Sequence, residues 1–301
     1  MQFTKLQGTG NDYIFVDAIA EPQRDWPQVA RKVSDRHFGI GADGLIIATE
    51  SSIADVRMRM FNADGSEGEM CGNGIRCFAK FVLDKQLINS DQTNVEVETG
   101  AGVLKIIPHR EGSIINGARV DMGQPTLKAP SIPIDQSKMG PSDFSQLDRE
   151  ELALLDVKLS ELVFDSLISV EGVDLLLTGI SMGNPHVVAF LNDDVYQFDL
   201  NKIGPLIENH PAFPNRINFH IVNIVNSRRI VTRTWERGSG ITLACGTGAS
   251  AMVVAGKLHG FLEEEVKVGV PGGSLIISWQ DSGSVFMDGD AVEVFSGQIS
   301  I

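Results

Sequence analysis

The chain contains one structural plan twice, and that repetition limits its fold more than any other feature. Cys71 sits in "EMCGNGIRCFAKFV" and Cys245 in "LACGTGASAMVVAG", each a Cys-Gly-x-Gly turn followed by a run with helical spacing. Phe61 precedes Cys71 by ten positions, and Trp235 precedes Cys245 by the same ten. The strand end Arg59-Met60-Phe61-Asn62 matches Arg233-Thr234-Trp235-Glu236. Further back, Gly10-Asn11 and Gly183-Asn184 stand at nearly equal distances before their cysteines, and each leads into an apolar stretch, "YIFV" and "VVAF". Landmarks at nearly constant offset mark an internal repeat. The first copy is expected over roughly residues 1–118 and the second over roughly 119–290. On this pattern alone the last strand, "VEVFSGQISI", is free to return to either.

Most of the chain reads as strand. Segments such as "LIIAT", "VRMRMFN", "NVEVETG", "VLKIIP", "INFHIVNIV", "RIVTRTWE", "EVKVGV" and "LIISW" are short, rich in Val and Ile, and separated by Gly, Asn or Asp. One strong helix is expected per copy, from about Gly74 to Lys85 and from about Gly248 to Leu258. Weaker ones are expected near Trp26–Arg36 and Asp148–Leu155. Many strands with one strong helix per copy predict an α+β fold of two pseudo-symmetric lobes, each a curved, barrel-like mixed or antiparallel sheet wrapped around a central helix. The stretch from Lys128 to Glu161 has no counterpart in the first copy and reads as a surface insertion at the crossing.

Lys plus Arg number 25 against 39 Asp plus Glu, a net charge of −14 that repels phosphate backbones and argues against a nucleic-acid partner. No apolar run is long enough for a membrane span, and "MQFTKLQGTGND" lacks the apolar core of a signal peptide. Three cysteines, an odd number, suit thiols kept reduced in a cytoplasm rather than a disulfide framework.

Each repeated cysteine stands immediately before a helix start. A helix N-terminus offers unpaired N–H groups and partial positive charge, which lower a thiol's pKa. The same N–H groups can hold a carboxylate, and glycines let the backbone approach a ligand closely. Two such turns would grip one α-carboxylate and place one sulfur on each face of its α-carbon. Inverting that carbon needs a base on one face and an acid on the other, with preorganised donors for the carbanion. A small residue at a tight helix–strand junction would explain one such turn, but two in matched register favour chemistry.

With the segments "GTGNDYIFVD", "FGIGADGLI", "FNADGSEGEMCGNGIRCFAKFV", "SMGNPHVVAFL" and "WERGSGITLACGTGAS", the chain resembles the diaminopimelate epimerase family over nearly its whole length. The resemblance implies a pyridoxal-independent isomerase that needs no cofactor or metal. Its reaction would interconvert L,L- and meso-diaminopimelate for lysine and peptidoglycan precursors, in a cleft between two pseudo-symmetric lobes. It places the catalytic thiols at Cys71 and Cys245, supported by His186 and Glu236. Substrate contacts fall on Asn11, Asn62, Asn184, Asn218, Glu236 and Arg237, with carboxylate cradles at Gly72-Asn73 and Gly246-Thr247. Arg237 would take the distal carboxylate in a two-pronged bond, and Glu236 the distal ammonium. The last strand would rejoin the first lobe, so residues 291–301 are assigned there. A cytoplasmic enzyme, with a small-molecule amino-acid substrate and a possible homodimeric state, is expected. Two positions depart from the pattern: Gly44 stands where some members carry a Gln that contacts substrate, and Ile241 where many carry Glu.

Other signals have plainer readings. Gly39-Ile40-Gly41-Ala42-Asp43-Gly44 matches a dinucleotide fingerprint in form only, because it precedes a strand instead of following one. Cys77 reads as a buried spectator and the histidines lack metal spacing, while His186 has a purely structural reading beside its supporting one. Asp64 and Glu67 read as solvated loop charges, and Arg31, Lys32, Asp35 and Arg36 as an exposed helix face. Outside epimerisation, a thiol redox cycle and a non-catalytic amino-acid binder fit the same cysteines. A redox protein would use the disulfide, whereas an epimerase would be active only when reduced.

Overall fold

The computed structural model describes residues 1–21, 23–68, 71–112, 114–155, 157–280 and 283–301. Glu69 and Met70, which precede Cys71 in the first motif, lie outside the described residues, as does Asp156. The chain divides into two compact units, Met1–Asp121 with Asp288–Ile301, and Met122–Met287. The repeat had suggested boundaries at 118/119 and 290/291.

The first unit contains β1 (Gln2–Gly8), β2 (Asn11–Asp17), β3 (Gly44–Thr49), β4 (Val56–Asn62), the two-residue β5 (Glu67–Gly68), β6 (Val95–Thr99), β7 (Gly102–Glu111) and β8 (Ile114–Asp121). Helix α1 (Trp26–Ser34) joins β2 to β3, and α2 (Gly72–Asp84) joins β5 to β6. Strands β1 and β2 pair antiparallel, β2 and β3 parallel, β3 and β4 antiparallel. Then β4 pairs antiparallel with β5 and parallel with β6, and β6, β7 and β8 follow antiparallel. Helix α2 packs on β1, β2, β3, β7 and β8. Because strands from both ends of the sheet touch it, the sheet curls around the helix.

The second unit repeats this plan. It contains β9 (Ser166–Val170), β10 (Val173–Ser181), β11 (Pro185–Phe190), β12 (Asn218–Asn226), β13 (Arg229–Glu236), β14 (Gly240–Thr242), β15 (Glu265–Val270) and β16 (Gly273–Trp279). Its helices are α3 (Arg149–Ala153), α4 (Leu200–Glu208) between β11 and β12, and α5 (Gly246–Leu258) between β14 and β15. The pairings β10–β11 antiparallel, β11–β12 parallel, β12–β13 antiparallel, β13–β14 antiparallel, β13–β15 parallel and β15–β16 antiparallel reproduce those of the first unit in order. Helix α5 packs on β10, β11, β12 and β16. The chain then runs through β17 (Val285–Asp290) into β18 (Val292–Gln298), which pairs antiparallel with β1.

Both central helices are buried on all sides rather than along one stripe, as core helices are. In each, twelve of thirteen residues are buried. Charges inside them are satisfied: the Lys80 ammonium donates to the Ile115 carbonyl at 2.6 Å and pairs with Asp84. Lys257 donates to the Trp279 carbonyl and pairs with Glu151. In α5 the small residues have a steric cause. A Cβ on Gly256 would lie 2.2 Å from Leu262 Cδ1.

Several expectations need correction. Both central helices begin at Gly72 and Gly246, directly after their cysteines, two residues earlier than the spacing indicated. The first helix stops at Ser34, and Asp148 caps α3 instead of opening it. Helix α4 was not foreseen because Pro205 interrupts its pattern, yet Asp199 caps it by accepting from the Lys202 N–H. The segment 128–161 is not a surface insertion. Its Ala129, Ile132 and Ile134 are buried in the core of the second unit with Leu177, Phe213 and Ile217. Among the described residues no helix is long and apolar enough to cross a membrane. If that segment is core, Ile132→Ala should cost about 2–5 kcal/mol of unfolding free energy. Urea denaturation measures it, and a cost within about 0.5 kcal/mol, the surface range, would return the segment to the surface.

Candidate active site

In the first unit, Cys71 is the N-cap of α2, in extended conformation. Its sulfur accepts from the Gly74 N–H at 3.4 Å and from the Tyr13 hydroxyl at 3.2 Å. Cys71 is half-buried, and Gly72 and Asn73 form the buried first turn behind it. Asn73 donates through Nδ2 to Asn11 Oδ1 at 3.0 Å, and its own Oδ1 accepts from Arg76 at 3.0 Å and from Thr9. Asn11 in turn donates to Asp43 at 2.6 Å. Arg36 clamps Asp43 and Asp12 together, so it is part of this network and not merely an exposed helix charge. Asn62 stands apart. It is exposed, held by Ser66 in its own turn, and bonds to neither Asn11 nor Asn73 through any contact described.

Arg76 is fully buried, a costly place for a charge unless its donors are used. It donates to the Gly72 carbonyl, Asn73 Oδ1, Thr9 Oγ1 and the Asp290 carbonyl. Burial lowers its pKa from the ordinary guanidinium value, and negative charge on Cys77 or Cys71 would raise it. A cation is therefore fixed below the turn that carries the first thiol.

In the second unit, Cys245 is the N-cap of α5. Its thiol is buried, and Thr247 Oγ1 lies 3.6 Å from the sulfur. Asn184 donates to Thr247 Oγ1 at 3.3 Å and accepts from His186 Nε2 at 2.8 Å. His186 Nδ1 meets His220 Nε2 at 2.9 Å, and His220 Nδ1 meets the Thr234 hydroxyl at 2.9 Å. Glu236 accepts from the Thr242 hydroxyl at 2.5 Å. Asn218 is committed to the backbone, donating to the Pro185 carbonyl and accepting from the Arg237 N–H. It thereby fixes the turn from which Arg237 projects. Glu208 supports that turn from below, accepting from Trp235 Nε1, the Gly238 N–H and Arg216.

The electrostatics of Cys245 depart from expectation. Burial first, and the charge of Glu236 second, push its pKa well above the ordinary thiol value. Desolvation thus outweighs the helix N-terminus and favours the protonated sulfur. Burial also pushes Glu236 up and holds both histidines far down, His220 to about 3. Cys77, buried in α2 and pushed up to about 12, is inert. Glu67 is no free loop charge, because it accepts two bonds from Arg59.

Register aligns the two networks. Tyr13 opposes Gly44 on neighbouring strands as His186 opposes Asn218. Asn11 and Asn184 each lie two residues before that Tyr or His, after Gly10 and Gly183 at φ 85° and 88°. Asn73 and Thr247 each lie two residues after their cysteine. Sequence reasoning missed Tyr13, Thr9, Asp43, Arg36 and Arg76 in the first network, and His220, Thr234, Thr242 and Glu208 in the second. A signal existed for two of them: strand alternation puts Tyr13 on the same face as Asn11, and His220 on that of Asn218. The Gly44 departure is steric, since a Cβ there would lie 2.3 Å from the Phe61 carbonyl oxygen. Ile241 is exposed on β14. Among the described residues no cluster of His, Cys, Asp or Glu is placed to hold a metal.

The architecture is one already seen in other proteins. A phenazine biosynthesis protein of the PhzF family from Bacillus anthracis superposes with a TM-score of 0.67 at 16% identity, covering 100% of this chain and 99% of that one. A hydroxyproline epimerase from Agrobacterium vitis, with bound trans-4-OH-L-proline, gives 0.64 at 13% identity, covering 99% and 90%. Those likenesses define the class of fold, two sheet-rich units with a central helix in each. The particular family follows from sequence: the chain belongs to the diaminopimelate epimerase family, whose model matches residues 3–128 and 178–294. The diaminopimelate epimerase of Acetivibrio thermocellus is 42% identical over 304 residues, covering 100% of this chain and 99% of that protein. That of Agathobacter rectalis is 46% identical over 302 residues, covering 100% of both. The chain is accordingly an isomerase.

Arg76 offers a test of the first network. Arg76→Met would leave Asn73 Oδ1 and the Gly72 carbonyl without their charged donor. Removing a buried charged hydrogen bond costs about 1.5–3 kcal/mol, or roughly 10- to 100-fold in kcat/KM if Asn73 and Asn11 position substrate. Steady-state kinetics on the folded variant should show this loss, and unchanged kinetics would remove Arg76 from the site.

Proposed function

We propose that the chain interconverts L,L- and meso-diaminopimelate, with Cys71 and Cys245 as the two acid–base groups acting on one α-carbon. The observation that carries this reading is the repetition of one arrangement: in each unit a cysteine caps the N-terminus of an enclosed helix, followed by first-turn residues bonded to an asparagine.

The two thiols differ in the way the reaction requires. Cys71 is half-buried and receives donors from Tyr13 and Gly74, which favour its thiolate. Cys245 is buried beside Glu236, which favours its thiol. In the direction that starts from this state, the Cys71 thiolate takes the α-proton and the electron pair stays on carbon. Cys245 then delivers its proton to the opposite face. The proton count is conserved, the two sulfurs exchange roles, and the pair titrates as a unit.

Binding follows the same residues. The first-turn N–H groups at Gly72-Asn73 and Gly246-Thr247 suit the α-carboxylate and the negative charge that develops beside it. Asn11, Asn62, Asn184 and Asn218 orient the substrate, and Asn218 also holds the Arg237 backbone. Arg237 takes the distal carboxylate and Glu236 the distal ammonium, so an amino acid charged at both ends is favoured. His186 supports Cys245 through Asn184 and Thr247. On this reading the enzyme works without a cofactor in the cytoplasm, supplies lysine and peptidoglycan precursors, and binds neither nucleic acid nor membrane. The exposed Val292, Val294 and Phe295 of β18 provide an apolar strand for a homodimer.

Chiral chromatography after incubation with L,L-diaminopimelate, alongside a panel of other amino acids, tests the assignment. The meso product should form only under reducing conditions, and Cys71→Ala and Cys245→Ala should each lower kcat by about 10²–10⁴-fold. Retained turnover in both variants, or a clear preference for an uncharged amino acid, would contradict it.

A further inference from the structure

The two networks occupy equivalent places in the sheet register, and the place behind His186 is filled differently in the two units. On β3, Ile46 pairs in register with Phe15, two residues after Tyr13; on β12, His220 pairs with Val188, two residues after His186. Ile46 and His220 therefore occupy equivalent places. The contacts agree: a Cβ on Gly74 would meet Ile46 Cδ1 at 2.8 Å, and a Cβ on Gly248 would meet His220 Cε1 at 2.4 Å. The same point on Gly248 lies 3.1 Å from Cys245 Sγ, so the imidazole is packed against the turn that bears the thiol. An apolar residue suffices in the first unit. A fully buried imidazole in the second must have all its hydrogen bonds satisfied to be tolerated.

The placement of the Asn184 amide, with Oδ1 toward His186 and Nδ2 toward Thr247, sets the direction of those bonds. Asn184 Oδ1 can only accept, so the His186 proton is on Nε2. Burial keeps His186 neutral, which leaves Nδ1 bare and obliges His220 to donate through Nε2. His220 is neutral as well, so its Nδ1 accepts from the Thr234 hydroxyl. On the other side, Asn184 Nδ2 donates to Thr247 Oγ1, which leaves the Thr247 proton for the Cys245 sulfur. Thr234, His220, His186, Asn184 and Thr247 thus form a head-to-tail relay of donors that ends on the thiol.

We infer that His220 is a positioning residue for Cys245: by donating to His186 Nδ1 it locks the Nε2–H tautomer, and through Asn184 it keeps the Thr247 hydroxyl proton aimed at the sulfur. The role in turnover rests on Cys245 being an acid–base thiol, whereas the tautomer lock does not. Without this donor, His186 could protonate Nδ1 instead. Asn184 would then turn its amide, and Thr247 would point its proton at Asn184.

Two substitutions separate this role from packing. His220→Ile installs the residue that the first unit carries at the equivalent place, so the fold has a precedent for it. His220→Gln keeps a donor toward His186 and an acceptor toward Thr234. In His220→Ile, ¹⁵N NMR of His186 should show loss of the single Nε2–H tautomer. Alkylation of Cys245 by iodoacetamide, followed by mass spectrometry, should slow about tenfold, and kcat/KM should fall about tenfold, the scale of one lost hydrogen bond. His220→Gln should restore the tautomer and bring kcat/KM to within about threefold of the parent, a difference below one hydrogen bond. An unchanged tautomer in His220→Ile, or equal impairment of the two variants, would overturn the inference. Absence of turnover by the parent on diaminopimelate would instead count against the proposed function, since the tautomer and alkylation measurements need no substrate.

Discussion

A helix enclosed by sheet can present its backbone to a ligand only at its ends, and this constraint organises both units. Helices α2 and α5 are buried along their length, so their first-turn N–H groups are the part of each that can meet a substrate. A cysteine at the N-cap places sulfur beside those donors without a further structural device. The glycines that follow are needed because neighbours crowd them. Gly248 lies against His220 and Gly74 against Ile46, so neither tolerates a side chain without a shift.

Around that shared constraint the two units use different electrostatics. The first places a buried guanidinium, Arg76, under its turn and lets a tyrosine and a backbone N–H reach the sulfur. The second places two neutral imidazoles behind its turn and a carboxylate beside the thiol. The first sulfur receives two hydrogen-bond donors, and the second is buried beside a carboxyl group. A reaction that removes a proton at one sulfur and returns one from another needs that inequality at its start. It also needs the inequality to be small enough to reverse, because the product state has the roles exchanged.

Much of this was legible before the structure, for a physical reason. Motifs with required backbone geometry leave residues that cannot be substituted freely, and the Cys-Gly-x-Gly turns, Gly10-Asn11 and Gly183-Asn184 are of that kind. The alternation of short Val- and Ile-rich strands likewise reported a sheet-dominated fold. What remained hidden was decided by tertiary contact. Arg76 and His220 look like a helix charge and a strand histidine until burial and register bring them to the cysteines. Asn218 reads in sequence as a substrate contact, and only the fold shows that it also bonds the Pro185 carbonyl and the Arg237 N–H. Pro205 concealed α4, and the polar composition of 128–161 concealed the buried Ile132 and Ile134. The burial that pushes the Cys245 thiol up is likewise set by tertiary contact, because a helix N-terminus is visible in sequence and the depth of a thiol is not.

The central claim is that two different sulfurs handle the departing and arriving protons. Early-time isotope analysis in deuterated water tests it most directly. With L,L-diaminopimelate at low conversion, two distinct groups should give a meso product carrying deuterium at the inverted carbon, while recovered starting material keeps protium there. Deuterium appearing equally in recovered starting material and product, or protium carried from one into the other, would show a single group serving both faces and contradict the account.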